Sequence, residues 1–217
     1  MSRLGMVIDL KRCINCQTCM VACKMENFVP AGVFLNRIQD YEVGAYPNVK
    51  RMFLPVSCMH CDTPPCRDVC PTGATAKRED GIVFVDDNKC VGCAYCVVTC
   101  PYQARSIYKK ETLYYKVATP HEEFPHMFRN PSQRHRIGTA SKCTFCLHRI
   151  DKAGRKGLII GVDPEATPAC VNACIVKARY FGDLDDPKSE VSKLVTKRRA
   201  LRLLERLGTE PCIYYLT

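Results

Sequence analysis

The sequence predicts an α+β fold in which short strands and short helices alternate and the same order of elements recurs. An apolar strand leads into four closely spaced cysteines at residues 6–23, and the same layout returns at residues 82–100. The segments that follow also repeat, because residues 100–107 resemble residues 174–181 and residues 70–75 form a shorter version. Each unit is therefore predicted to contain a strand, a cysteine loop, a short helix that carries the last cysteine, and a second strand.

The other elements are predicted from apolar runs and the turn residues between them. Residues 34–38 and 50–54 fit two strands, and residues 191–207 fit one helix, with Ser189 and Gly208 suited to its ends. The last apolar run, residues 212–216, fits a strand or an extended tail against a partner. The polar segment 105–142 is predicted to be a surface loop, either a docking element or an inert insertion.

Most of the cysteines are grouped. Sixteen of the 17 fall into four sets, which are Cys13, Cys16, Cys19 and Cys23; Cys58, Cys61, Cys66 and Cys70; Cys90, Cys93, Cys96 and Cys100; and Cys143, Cys146, Cys170 and Cys174. The third set is spaced C-x2-C-x2-C-x3-C before Pro101, and in two-cluster ferredoxins the last Cys of such a run ligates the other cluster. The four sets together predict four 4Fe–4S clusters, and the remaining Cys212 is predicted to be a small buried apolar side chain.

Three other uses of cysteine fit the pattern less well. Disulfides favour small secreted domains, whereas the first residues form no recognisable secretory signal and C-x2-C neighbours are poor structural disulfide partners. Reactive thiols would not need four sets at these spacings. Zinc is the stronger alternative, because C-x2-C pairs suit tetrahedral sites. A zinc-binding interaction module therefore stays open, and it would be colourless and free of labile sulfide.

The formal net charge of +10 would suit a protein that binds nucleic acid. Sixteen thiolates and four oxidised 4Fe–4S cores would bring that charge to about +2, since the thiolates add about −16 and the cores about +8. The basic residues are therefore interpreted as compensation for buried cluster charge, and no nucleic-acid partner is predicted.

The sequence contains no run of about 18 consecutive apolar residues, the length that a membrane helix needs. The chain is therefore expected to be soluble, without a membrane span, and to reach any membrane through a partner. It also has no Gly-rich phosphate loop and no nucleophile–base pair, so no catalytic residues are predicted and the chain is expected to catalyse nothing alone.

The order of these motifs resembles the four-cluster electron-transfer subunit of the dimethyl sulfoxide reductase (molybdopterin oxidoreductase) family, in its polysulfide-reductase-like form. The resemblance covers nearly the whole chain, and the matching segments are residues 22–27, 58–66, 70–74, 90–101, 142–149, 168–170 and 181–187. The departures are the 105–141 loop and the length between Cys146 and Cys170.

The resemblance implies two nested ferredoxin-like modules with long loops and a C-terminal helix. The outer module would comprise residues 1–57 and 143–187, and the inner module residues 58–104, with two clusters in each. Residues 105–142 would form the surface or docking loop, and residues 188–217 the C-terminal helix and tail.

The resemblance also implies which cysteines share a cluster. The four sets of ligands would be Cys13, Cys16, Cys19 and Cys174 for cluster a; Cys143, Cys146, Cys170 and Cys23 for cluster b; Cys58, Cys61, Cys66 and Cys100 for cluster c; and Cys90, Cys93, Cys96 and Cys70 for cluster d. Every ligand position is a Cys, so four cubanes are expected.

Five residues beside the cysteines are candidates for a tuning role. Arg12, Lys89 and Lys142 each precede the first Cys of a set, and we hypothesise that they raise the potential of the nearby cluster; the alternative is a solvated basic residue at a loop start. His60 and His148 lie inside cluster motifs and are expected to donate hydrogen bonds rather than to ligate iron, because four thiolates already complete each site.

The resemblance implies a catalytic subunit with a molybdenum or tungsten pterin cofactor, and often a quinone-reactive membrane anchor. The chain would then be a non-catalytic subunit that relays electrons between them or to another acceptor. It would lie peripheral to the membrane within the complex, and the absence of a signal favours the cytoplasmic face, although such subunits can cross with an exported partner. A free-standing soluble polyferredoxin is the other alternative.

Overall fold

The computed structural model describes residues 2–107, 109 and 137–217. Most of the predicted docking loop, residues 105–142, lies outside the described residues. The described chain combines short helices with strands that form one four-stranded and three two-stranded sheets. That these elements make two nested modules stays a prediction.

The described elements follow in chain order. The strands are β1 (Leu4–Asp9), β2 (Asn36–Ala45), β3 (Asn48–Ser57), β4 (Thr75–Lys77), β5 (Val83–Val85), β6 (Ser106–Ile107), β7 (Ala140–Ser141), β8 (Arg179–Asp183), β9 (Ala200–Leu201) and β10 (Ile213–Leu216). The α-helices are α1 (Thr18–Glu26), α2 (Pro65–Asp68), α3 (Tyr95–Val98), α4 (Leu147–Lys156), α5 (Ala169–Asn172) and α6 (Glu190–Lys197). Two 3-10 helices cover Pro164–Ala166 and Glu205–Leu207.

The four-stranded sheet joins the two ends of the chain. Its strand order is β8-β1-β10-β9, with β1 parallel to β10 and antiparallel to β8. Every residue of β1 is buried, because both faces of the strand are covered. Met6 and Ile8 pack into the larger hydrophobic core, whereas Val7 packs into a second core with Val191 on the other face, as the two-residue period of a strand requires.

The C-terminal residues form an internal strand rather than a tail. Strand β10 lies between β1 and β9, and its register places Ile213 opposite Met6. Cys212 is completely buried at its start, as the sequence predicted. The backbone oxygen of Cys212 would lie only 2.6 Å from a Cβ added at Gly5, so the two segments are packed too closely for a side chain at that position.

The long hairpin of β2 and β3 extends beyond the two strands predicted within residues 24–57. Ten pairs of residues face each other, from Asn36 opposite Ser57 to Ala45 opposite Asn48. The end near Ser57 is buried and the far end is exposed. The hairpin is therefore anchored in the core at one end and projects into solvent at the other.

The single helix predicted at residues 191–207 is wrong in its second half. Helix α6 begins after Ser189, as expected, but ends at Lys197, and Ala200–Leu201 then pairs with β10. Arg198 leaves the helix to donate from Nη1 to Oδ2 of the buried Asp9, 2.8 Å away. Tertiary contacts have overridden the weak helical pattern, and Gly208, at φ +65°, ends a 3-10 helix instead.

The prediction that each short helix carries the last Cys of its set is correct for the first set, where α1 contains Cys23, and wrong for the other three. Helices α2, α3 and α5 carry the third Cys, which is Cys66, Cys96 and Cys170 respectively. The last Cys follows two residues after each of these helices. A helix would keep residues four apart on one face, so ending it frees the last Cys to point elsewhere.

No helix among the described residues is both long and apolar enough to cross a bilayer.

Candidate metal centres

Four cavities, named a to d here, are each lined by four cysteines and contain about 320 to 360 Å³ of space, part of which is open to solvent. Cavity a is lined by Cys13, Cys16, Cys19 and Cys174; cavity b by Cys23, Cys143, Cys146 and Cys170; cavity c by Cys58, Cys61, Cys66 and Cys100; and cavity d by Cys70, Cys90, Cys93 and Cys96. These are the four combinations given above. That each of them binds a cluster stays a prediction.

The fourth Cys lines a different cavity both where the helix continues through it, as in α1, and where the helix ends before it, as in α5. Helix α1 carries Cys19 and Cys23 four residues apart on one face, and this face borders both cavity a and cavity b. At the end of α5, Cys170 lines cavity b while Cys174 has moved to cavity a. Each of these two segments therefore contributes one thiol to each cavity.

The cysteine loops share an uncommon backbone conformation. The residue before the second Cys of every set has a positive φ, at Asn15 (55°), His60 (45°), Gly92 (70°) and Phe145 (56°). Backbone turns of this kind can direct successive N–H groups toward one point and so form a concavity for an anion. The conformation shared by the four loops therefore fits a negatively charged group at each of them.

Backbone N–H groups also donate directly to the cysteine sulfurs. Examples are Ala178 to Cys174 Sγ at 3.2 Å, Thr75 to Cys70 Sγ at 3.4 Å and Ala140 to Cys90 Sγ at 3.4 Å. Hydrogen bonds of this kind favour the thiolate, which is the form that binds metal.

Burial acts against free thiolates most strongly in cavity b. It raises the pKa of Cys143 and of Cys146 to about 12, and it raises the pKa of Cys23 further still. At neutral pH these groups are therefore protonated unless a cation replaces the proton. A bound metal deprotonates its thiol ligands outright, so this donor set fits a metal centre.

Two buried arginines lie among the cysteines. Arg105 is 5% exposed, and its Nη2 donates to Cys66 Sγ at 3.0 Å. Arg179 is also 5% exposed, and its Nη1 lies 3.9 Å from Cys170 Sγ. Neither makes an ion pair with a carboxylate within the described ranges.

An unpaired buried charge is very costly. In the part of the chain that the structure describes, a cysteine thiol lies beside each of the two guanidinium groups. A 4Fe–4S cluster with four thiolates carries about −2 overall, which would supply the missing counter-charge. The buried arginines therefore fit clusters in these cavities.

His60 lies in a cysteine loop, whereas His148 lies in the first turn of α4; that the two rings donate hydrogen bonds at the clusters stays a prediction. The ring of His60 is completely buried and stacks on Phe145 at 3.8 Å, and its Nδ1 accepts a hydrogen bond from the N–H of Val83. Burial lowers the pKa of His60 well below its usual value, so the ring is neutral. The Nε2 atom of His148 lies 2.6 Å from Oε1 of Glu26.

The three basic residues that precede a cysteine set have different surroundings. Lys142 is buried, and its Nζ donates to the backbone oxygens of Val83 and Cys143. Arg12 is exposed and donates to the hydroxyl of Tyr180 at 2.6 Å. The side chain of Lys89 is 65% exposed and lies 3.8 Å from Asp86. That these residues tune the clusters stays a prediction, and only Lys142 is shielded from solvent.

Sequence reasoning did not single out Arg105 or Arg179. A signal was present, because both follow an Ala five residues after the last Cys of a set, in the segments already recognised as a repeat. A long basic residue repeated at one offset from a metal ligand could have been identified as a candidate counter-charge.

Among the described residues, no three His, Cys, Asp or Glu side chains converge on a position for a single metal ion. Two family models, both described as a 4Fe-4S dicluster domain, match this chain at residues 12–74 and 49–120. Each matched segment contains two of the four cysteine sets.

The chain is similar to several iron–sulfur subunits of oxidoreductases. It is 45% identical to a subunit of the selenate reductase of Mesobacillus selenatarsenatis, over 98% of this chain and 71% of that protein. It is 41% identical to a subunit of the tetrathionate reductase of Salmonella typhimurium, over 99% of this chain and 72% of that protein. It is 36% identical to the iron-sulfur subunit of the arsenate respiratory reductase of a Shewanella species, over 99% of this chain and 96% of that protein.

Proposed function

The chain belongs to the iron–sulfur electron-transfer subunits of the molybdopterin oxidoreductases, and on that premise we propose that it carries four 4Fe–4S clusters, one in each of cavities a to d. The observation that supports this number best is the presence of four separate cavities, each lined by four cysteines. The sixteen cysteines would be the ligands, in the combinations that line the four cavities. A bound cluster of this kind takes up and releases one electron at a time.

The contacts between cavities support the linear order a, b, c, d. Arg179 lines both cavity a and cavity b. Arg105 lines cavity c, and its charge also favours the thiolate of Cys96 in cavity d. Cavities b and c approach each other at the stacked rings of Phe145 and His60, which directly precede Cys146 and Cys61.

The two ends of this order lie at the surface. Cys16 in cavity a and Cys93 in cavity d are exposed, whereas the other fourteen cysteines of the four sets are buried or half-buried. Electrons would therefore enter and leave through cavities a and d, and the buried rings between b and c would keep water from the middle of the path.

The partner at one end would be a catalytic subunit with a molybdenum or tungsten pterin cofactor. The relatives named above are subunits of reductases with three different substrates, which are selenate, tetrathionate and arsenate. Each of these subunits is nevertheless 36 to 45% identical to this chain. We therefore infer that the choice of substrate belongs to the catalytic partner. A quinone-reactive membrane subunit at the other end, and a position on the cytoplasmic face, remain the finer predictions.

The test is a metal inventory for Fe, Zn, Mo and W on the complex purified anaerobically from its source under gentle conditions. About 16 iron atoms per chain are expected from four 4Fe–4S clusters, together with about one Mo or W from the catalytic partner. Iron near this value without Mo or W would instead indicate a free polyferredoxin. Zinc in place of iron would refute the cluster proposal and favour the zinc-binding module.

A further inference from the structure

Arg105 and Arg179 occupy equivalent places in the repeat. Each lies five residues after the last Cys of its set, in the segment that crosses from one cavity to the neighbouring one. The same offset from Cys70 leads to Thr75. In the structure, Arg105 Nη1 donates to Thr75 Oγ1 at 3.1 Å. The two equivalent side chains therefore meet between cavity c, which Arg105 lines, and cavity d, which Thr75 lines.

The guanidinium of Arg105 contacts lining residues of both of these cavities. Nη2 donates to Cys66 Sγ of cavity c at 3.0 Å. Nη1 donates to Oγ1 of Thr75, which lines cavity d next to Cys70, Cys90, Cys93 and Cys96. One positive charge thus lies between two groups of cysteine thiols.

Arg179 has the same place between cavities a and b, both of which it lines. Its Nη1 lies 3.9 Å from Cys170 Sγ of cavity b, and its charge also acts on Cys19 and Cys174 of cavity a. Its Nη2 donates to Asn36 Oδ1 at 2.9 Å. The neutral amide of Asn36 holds the guanidinium in place without cancelling its charge.

The surroundings of these arginines differ from those of a structural ion pair. Arg149 binds both carboxylate oxygens of Glu26, so its charge is already neutralised. Arg105 and Arg179 have no carboxylate partner among the described residues, and their charge remains available to groups in the cavities.

We propose that Arg105 and Arg179 are shared tuning residues, each of which raises the reduction potentials of both clusters beside it. A cluster with its four thiolates passes from about −2 to about −3 when it gains one electron, and a fixed cation nearby stabilises the more negative state. The electron comes from the preceding centre and leaves to the following one, and the arginine itself is neither oxidised nor reduced. This inference rests on the proposed function.

The experiment is a redox titration, followed by electron paramagnetic resonance, of the complete complex purified anaerobically. The variants are Arg179→Gln and Arg105→Gln, which remove the buried charges. Arg12→Gln is the control, because it removes an exposed guanidinium next to Cys13. Iron content is measured on every sample.

Arg179→Gln is expected to lower the midpoints of two clusters and to leave the other two unchanged, and Arg105→Gln is expected to affect the complementary two. The equilibrium constant for reduction of each affected cluster should fall at least tenfold. This corresponds to a decrease of about 59 mV in the midpoint potential of a one-electron couple. Arg12→Gln should change the midpoints much less, because solvent screens its charge.

Three further variants separate the effect of charge from that of packing. Arg179→Lys and Arg105→Lys keep the charge and should restore most of each shift. Asn36→Asp keeps the guanidinium but places a carboxylate against it, and the Nδ2 atom that it removes has no hydrogen-bond partner. This nearly isosteric change should lower the same two midpoints as Arg179→Gln, and it remains informative if Arg179→Gln does not fold.

Iron content and midpoint potentials together distinguish a failure of the tuning proposal from a failure of the proposed function. A shift in only one cluster, no shift, or equal shifts for Lys and Gln, in a complex that retains about 16 irons per chain, would overturn the tuning role alone. A wild-type complex without four clusters would overturn the proposed function itself.

Discussion

Cavities a and b are enclosed by segments from both ends of the described chain, whereas cavities c and d are enclosed almost entirely by residues 58–107. Among the described residues, Ala140 is the one that lines the second pair, at cavity d, from outside that range. We refer to cavities a and b as the outer pair and to c and d as the inner pair. The helices at the inner pair, α2 and α3, have four residues each, whereas α1 and α4 at the outer pair have nine and ten.

The two pairs differ in the contacts that hold their two cysteine sets together. In the inner pair, a two-stranded sheet of three residues per strand connects the second and third sets. In the outer pair, the first and fourth sets are more than 100 positions apart, and they are held together by the pairing of β1 with β8 and by Glu26 bound to Arg149. Closing a long loop costs more entropy than closing a short one, so the outer pair needs more long-range contacts.

The sharpest test of this comparison removes one ligand from each pair. Cys93→Ala, at the exposed edge of the inner pair, is expected to lose one cluster, or about four of about 16 irons. Cys170→Ala lies in buried cavity b, where an empty site would leave buried thiols and Arg179 without their counter-charge. It is expected to lose well over four irons and to reduce the yield of folded chain. Iron analysis of the purified complexes distinguishes these results, and the reverse order would contradict the comparison.

The contact between the two pairs can be weakened at Phe145. This ring is completely buried between His60 and Phe181, with centroid separations of 3.8 and 5.0 Å. Phe145→Ala is expected to lower the free energy of unfolding by about 3–5 kcal/mol, measured from the urea midpoint for loss of cluster absorbance. The exposed Phe34 provides the matched control, since Phe34→Ala should change the midpoint little. Equal effects of the two variants would show that the stacked rings do not join the pairs.

One ion pair at the outer pair of cavities and one at the inner pair can be compared in the same way, with a smaller expected effect on stability. Glu26→Gln, at the outer pair, is expected to cost about 1.5–3 kcal/mol, because it removes charged hydrogen bonds to Arg149 and His148. Asp62→Asn breaks the more exposed pair with Lys77 at the inner pair and should cost about 1 kcal/mol or less. Urea denaturation of the two variants at neutral pH gives this ranking.

The Glu26 contribution should also depend on pH. Its hydrogen bond to His148, with those to Arg149, lowers the pKa of Glu26 to about 2, below the usual value of about 4.3 in an unfolded chain. The stabilisation is therefore complete above about pH 4.3 and is lost as the pH falls toward 2. The difference in stability between wild type and Glu26→Gln should shrink over this range, and a constant difference would argue against the ionised carboxylate as its source.

The smallest expected effect is at Lys89, near the inner pair. Lys89→Ala should lower the midpoint of one cluster, but by less than Arg105→Gln does, because Lys89 is mostly exposed and lies near Asp86. The redox titration described above measures both variants. A midpoint that does not move beyond error would remove Lys89 from the tuning residues.

The structure departs from the sequence predictions where long-range contacts determine the secondary structure of a segment. The apolar pattern of residues 191–207 suggested one helix, but Arg198 binds Asp9, which lies 189 positions away. The sequence of residues 212–216 fitted either a strand or an extended tail. They form a strand because they pair with the edge of β1 that β8 leaves free. Nothing within either segment indicated these partners.

The sequence by itself determined the four cysteine sets, the strands that lead into them and the burial of Cys212. The sulfur ligands of one cluster lie only a few ångströms apart. Most of them therefore come from one short stretch of chain, where their spacing is visible in the sequence. Only the tertiary structure decided that Arg105 and Arg179 are buried between cavities and that Arg12 and Lys89 remain exposed. Burial depends on what packs around a side chain, and for Arg179 that includes Asn36, 143 positions away.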